Sequence, residues 1–137
     1  MKYVVLLGRI FYSAIFLMSA PSHFTRNAID YAAGQGVPLP SIAVPLSGVI
    51  ALAGALSILL GYKARCGAWL LVLFLVPVTI MMHRFWGLAD LNMATIQQIM
   101  FMKNISMLGA ALMIANFGSG PLSLDKNGNR TGKADPS

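Results

Sequence analysis

Glutamate is absent from this 137-residue chain, aspartate occurs four times and cysteine once, at Cys66. A single cysteine excludes an intrachain disulfide, a CxxC redox pair and any metal site built from several thiolates. The aspartates, Asp30, Asp90, Asp125 and Asp135, all fall outside the long apolar runs, so no paired carboxylates are available inside them for acid–base work. Charged residues amount to 10% of the sequence, too few to coat a water-soluble domain. Two histidines without a cysteine or glutamate nearby make a poor donor set for a metal or a haem, and no metal is expected.

Apolar residues, by contrast, make up 57% of the chain and its mean hydropathy is +0.71. That is far more apolar surface than one small soluble core can hide, and it identifies an integral membrane protein. Four apolar runs cover residues 4–20, 42–60, 66–82 and 99–117. At 1.5 Å rise per residue each approaches the roughly 20 residues needed to cross a bilayer core. The expected fold is all-α, a four-helix membrane bundle over residues 1–117, followed by a polar basic tail over 118–137 that reads by composition as disordered. The first run resembles a signal peptide, but Arg9 interrupts it and Pro21 would follow the cut, so it is expected to be a retained span.

Between the first two spans lies "PSHFTRNAIDYAAGQGVPLP", in which Phe24, Ala28 and Tyr31 recur at helical spacing. A short helix lying at the membrane interface is expected there. Ser47, Ala51 and Ala55, with Gly48 and Gly54 alongside, give the second span a face of small residues that lets a neighbour approach closely. Pro77 predicts a kink in the third span.

The formal charge of +6 would suggest nucleic acid in a soluble domain. Here it reports topology, because the basic residues flank the apolar runs. Lys2, Lys63, Arg65, Lys126, Arg130 and Lys133 would share one side, against Arg26 and Arg84 on the other. The positive-inside bias then places both termini in the cytoplasm, and nucleic acid is not an expected partner.

Two cations sit inside spans with no embedded counter-charge. Arg9 would snorkel to lipid phosphate or be answered by carbonyls, a carbonyl-bearing ligand or another subunit's acid, with Tyr12 and Ser13 on the same helical face. Lys103 is expected to snorkel toward Asp30 and Asp90. The "HRFW" stretch reads first as an interfacial anchor, with Phe85 and Trp86 in the aromatic belt, and second as the lip of a ligand site containing His83. His23 lies at the same side of the membrane.

In their order and spacing, "LLGRIFYSAIFLMSAPSHF", "GVPLP" followed by "PLSGVIALAGALSILLGYKAR", "HRFW" and "FMKNISMLGAALMIANFGSGPLSLD" resemble the DoxX family of small bacterial membrane proteins. The likeness reaches to about Leu124. It implies a four-helix bundle in the inner membrane and a link to quinone-using oxidoreductases, since the family takes its name from a quinol oxidase subunit. Arg9, Phe16, Ser19, His83, Phe85, Trp86, Lys103, Asn104 and Gly109 fit its pattern. Two departures matter: Ala51 stands where many relatives carry glutamate, and His23 where they carry lysine. Both weaken any scheme of proton relay within this chain.

The reading that follows is a small accessory subunit of a larger membrane complex, without catalytic activity or a cofactor of its own. Its alternatives are a direct quinone- or lipid-binding redox component, and a small transporter or assembly chaperone. Candidate ligand- or partner-binding residues are Arg9, Tyr12, Ser13, His23, His83, Trp86, Lys103 and Asn104. Expected partners are the lipid bilayer and other membrane subunits.

Overall fold

A computed structural model describes residues 1–125 of the chain. Among these described residues five α-helices run in the order α1 (Lys2–Ser19), α2 (Arg26–Gly34), α3 (Pro40–Leu60), α4 (Ala64–Met82) and α5 (Leu91–Phe117), with a 3-10 turn, Ala20–Phe24, between α1 and α2. No strand occurs among the described residues. The helices α1 (extended by its 3-10 turn), α3, α4 and α5 are long and apolar enough to cross a membrane, which makes the protein a membrane-embedded helical bundle. The short α2 is the connecting helix expected between the first two spans.

Local chemistry sets the ends. Thr25 Oγ1 accepts from the Ala28 amide and opens α2, while Pro40 opens α3, a position where its missing N–H costs nothing. Gly61, at φ +66°, closes α3 in the left-handed conformation that glycine adopts without strain. Asp90 caps α5, its Oδ1 accepting from the Asn92 and Met93 amides at 2.9 and 3.4 Å. That cap starts α5 eight residues before the expected start at Ile99. The reason is that "NMATIQQ" is polar enough to end a hydropathy run while remaining good helix. Prolines 45 and 77 lie inside α3 and α4, and both helices continue through them.

α3 and α4 form the closest-packed pair together with α4 and α5, and α1 packs on α3. Small residues permit this. Ala51, Ala55, Ala64 and Ala68 are fully buried, and a Cβ on Gly54 would lie 2.8 Å from the Gly67 carbonyl oxygen. Without a hydrophobic drive between helices in lipid, such close approach supplies the van der Waals contact that holds them. Around it pack Phe16, Ile58, Leu71, Phe74 and Leu75. Large apolar side chains such as Leu7, Phe11, Leu73 and Met102 face outward, where the bilayer receives them.

Beyond α5 the chain departs from the disorder that its composition suggests. Gly118–Asp125 folds back over the end of the bundle that carries the N-terminus and the α3–α4 hairpin. Leu124 and Asp125 donate their amides to the carbonyls of Leu60 and Gly61, at 3.2 and 2.7 Å. Asp125 in turn accepts from the Lys63 and Ala64 amides, at 2.7 and 3.2 Å. α4 begins without a side-chain cap of its own, so Asp125 supplies one across 61 residues of sequence. Residues 126–137 of the expected tail lie outside the described residues.

Gly61 sits beneath this closure. A Cβ there would collide with the Arg9 guanidinium and with Ser123. Gly61→Ala is therefore expected to lower stability by at least about 1 kcal/mol, combining left-handed strain with the clash. It should also speed hydrogen exchange at Leu124 and Asp125. Thermal unfolding in detergent and amide exchange check both effects.

Candidate ligand-binding site

The membrane half opposite the tail contains a cavity of about 680 Å³, bounded by the end of α1, the 3-10 turn, α2, the first half of α3, the second half of α4 and the middle of α5. Its walls are largely apolar, with Ile15, Phe16, Val44, Ile50, Phe74 and Met82 among them. α2 forms its roof through Ala28, Tyr31 and Ala32. The size falls in the range of about 300–1,000 Å³ typical of sites for small organic ligands.

Of the polar side chains that line it, His23, His83, Lys103 and Asn104 are the ones the sequence singles out, beside Tyr31 and the hydroxyls of Ser19, Ser22 and Ser47. The 3-10 turn brings His23 down onto α3, and Gly48 makes room, since a Cβ there would stand 2.6 Å from His23 Cβ. The His23 ring packs on Phe74, with centroids 5.5 Å apart. Its Nδ1 lies 3.0 Å from Ser47 Oγ, and that hydroxyl donates to the Val44 carbonyl at 2.6 Å. With its one hydrogen so used, Ser47 must accept from His23, which fixes the Nδ1–H tautomer and leaves Nε2 as a hydrogen-bond acceptor.

His83 stands at the C-terminus of α4, its Nδ1 3.0 Å from Gln97 Oε1 on α5. This link forms only because α5 begins as early as Leu91. Nearby, Arg84 donates to the Gln35 carbonyl at 3.0 Å and ties the α4–α5 loop to the end of α2. Asn104 is 4% exposed, and among the described residues no hydrogen-bond partner meets its side-chain amide. The side chain borders the cavity, so its amide is a group that a ligand there can meet.

Lys103 is the thirteenth residue of the 27-residue α5, roughly 18 Å along it from Leu91. The sequence places it close to the loops because α5 is expected to begin at Ile99. Instead its Nζ approaches Met100 Sδ at 3.4 Å, and the side chain borders the cavity rather than reaching the acids of the loops.

The remaining candidates lie elsewhere. Arg9 is 4% exposed, so it does not snorkel: its guanidinium donates to the backbone carbonyls of Ser119 and Leu122. The carbonyl alternative holds, and the carbonyls come from the chain's own folded-back segment. Tyr12 donates to the Met107 carbonyl at 2.8 Å, bridging α1 and α5. Ser13 is fully buried, and among the described residues its hydroxyl has no partner. Trp86 packs edge-on with Phe85 and Phe101, at centroid separations of 5.4 and 5.9 Å, in an interfacial cluster outside the cavity. Sequence reasoning missed Gln97 and the partnership of Ser47 with His23. Only the Asp90 cap, four residues after "HRFW", could have signalled that Gln97 is helical. Among the described residues no group of three metal-ligating side chains occurs.

The DoxX family model matches residues 4–84. The inner membrane protein YphA of Escherichia coli (strain K12) is 31% identical over 100 residues, covering 73% of this chain and 71% of the relative. The inner membrane protein YqjF of the same organism is 27% identical over 123 residues, 89% of either chain. No solved structure matches.

If Asn104 is kept for a ligand rather than for packing, removing its amide should stabilise the ligand-free protein. Asn104→Leu is expected to raise stability by about 1 kcal/mol, read as an increase in Tm after delipidation. A loss as large as that from truncating Leu71 would mark Asn104 as structural.

Proposed function

The chain belongs to the DoxX family of inner membrane proteins, and on that premise we propose that it is a small accessory component of a quinone-linked membrane complex that holds a lipid-soluble ligand, a quinone or a lipid, in the cavity beneath α2. One observation carries the reading: a largely apolar chamber of ligand size bordered by a buried residue, Asn104, whose amide has no hydrogen-bond partner among the described residues. Apolar walls favour a lipid-soluble body, while a few placed polar groups orient one end of it.

The side chains favour binding over catalysis by this chain alone. His23 is committed through Nδ1, no carboxylate borders the cavity, and the only cysteine, Cys66, lies exposed at the start of α4, at the other end of the bundle. A transport role draws less support, since the centres of α3 and α4 carry almost no polar groups. The positive-inside bias orients the termini to the cytoplasm, which puts the cavity in the periplasmic half.

Purification in mild detergent followed by solvent extraction and mass spectrometry is expected to recover about one ligand molecule per chain. Partner chains should migrate with the intact complex. Asn104→Leu should reduce ligand recovery without reducing protein yield. Full recovery in that variant, or an empty wild-type protein, would contradict the reading. For the orientation, a C-terminal green fluorescent protein fusion should fluoresce, and a C-terminal alkaline phosphatase fusion should be inactive.

A further inference from the structure

α1 and α5 enclose the cavity from two sides without packing into a continuous interface. α1 rests on α3 and α5 on α4, while between α1 and α5 runs a groove of about 390 Å³. The groove is lined by Phe11, Tyr12, Ser106 and Ala110, and it shares Ile15, Lys103 and Met107 with the cavity. Three shared wall residues make the two spaces neighbours along one seam. The hydrogen bond from Tyr12 to the Met107 carbonyl crosses that seam. Phe11, on its outer edge, is 72% exposed and so lies in the lipid.

We infer that this seam is a lateral portal, through which a neutral, single-chain amphiphile enters from the bilayer and leaves its chain between α1 and α5 while its head lies in the cavity. The inference rests on the ligand-holding reading above and adds the route, the pose and the chemistry of the head. Lys103 marks the junction, its alkyl stem covering the chain and its ammonium at the head. Asn104 offers N–H donors to an oxygen of the head, and His23 Nε2 accepts from a hydroxyl. A head with a hydroxyl and a second oxygen able to accept, either a carbonyl or another hydroxyl, satisfies both. A groove of about 390 Å³ crossed by the Tyr12 hydrogen bond is matched to one chain rather than two. With no carboxylate on the wall and Lys103 as the only formal charge, the cavity disfavours a cationic head. A bare carboxylate head would leave the His23 Nε2 acceptor without a donor, so an uncharged hydroxyl-bearing head fits best.

The test uses full-length protein in nanodiscs and a monoacylglycerol carrying a photoreactive diazirine in its acyl chain. Labelled residues are mapped by mass spectrometry. Saturable labelling is expected at Ile15, Ser106, Met107 and Ala110. It should fall about tenfold in Asn104→Leu, the loss of one buried hydrogen bond to the head, and also in Ala110→Trp, which fills the groove without touching the head site. A decyl-benzoquinol or unlabelled monoolein should compete. Stronger competition by the quinol identifies a quinol-type natural ligand, and stronger competition by monoolein a glycerolipid, either being a single-chain head of the inferred chemistry.

Equal competition by dioleoyl phosphatidylglycerol would overturn the ligand class. Saturable labelling confined to Tyr31 and Val37, on the α2 side, would overturn the portal while leaving the ligand-holding reading intact. No saturable labelling around the cavity would overturn both. Unchanged labelling in Ala110→Trp, with the protein folded by circular dichroism, would also overturn the portal.

Discussion

Inside a bilayer no water waits to satisfy a polar group, and the placement of Arg9 in α1 makes that constraint acute. A guanidinium there costs several kcal/mol unless partners meet it. The fold answers with its own backbone, turning the chain after Phe117 so that carbonyls of Ser119 and Leu122 face the cation. Much of the terminal end of the bundle follows from this turn. Gly61 must be glycine because the guanidinium and Ser123 occupy the space of a side chain, and Asp125 arrives where the first amides of α4 need an acceptor. One charge thus links three sequence-distant segments, α1, the α3–α4 hairpin and the returning chain after α5.

The two ends of the bundle consequently differ in kind. At the terminal end, glycine and alanine draw α3 and α4 together, and the returning segment covers the helix ends. At the other end, the 3-10 turn and α2 spread across the bundle instead of filling it. α1 stays with α3 and α5 with α4, and the Tyr12 hydrogen bond to the Met107 carbonyl crosses between them. Asn104 borders the space left there, without a hydrogen-bond partner among the described residues. On the ligand-holding proposal, this pairing of a sealed end and an unfilled end would let a lipid-soluble guest be held without loosening the fold.

Much of the architecture was legible in the sequence. Span number, the connecting helix and the small-residue contact of α3 followed from hydropathy and spacing, because lipid imposes length and small side chains impose proximity. The start of α5 was not legible from hydropathy, since a helix emerging from the membrane can carry "NMATIQQ" as readily as apolar residues. This error displaced Lys103 and hid Gln97. The folded-back segment was hidden for a different reason: "GSGPLSLD" has the composition of a linker, and its order comes from Arg9, more than a hundred residues away. Of the candidate residues, His23, His83, Lys103 and Asn104 meet at one cavity, whereas Arg9, Tyr12, Ser13 and Trp86 serve closure, bridging, burial and anchoring.

The pairing of Arg9 with the chain's own carbonyls is most directly tested by solid-state NMR in phospholipid bilayers, measuring dipolar coupling from the Arg9 guanidinium nitrogens. Coupling to the Leu122 carbonyl carbon, at a separation set by a hydrogen bond, is the expected result. Coupling to lipid phosphorus instead, with none to Leu122, would show that the arginine reaches the headgroups and that the returning segment is held by something else.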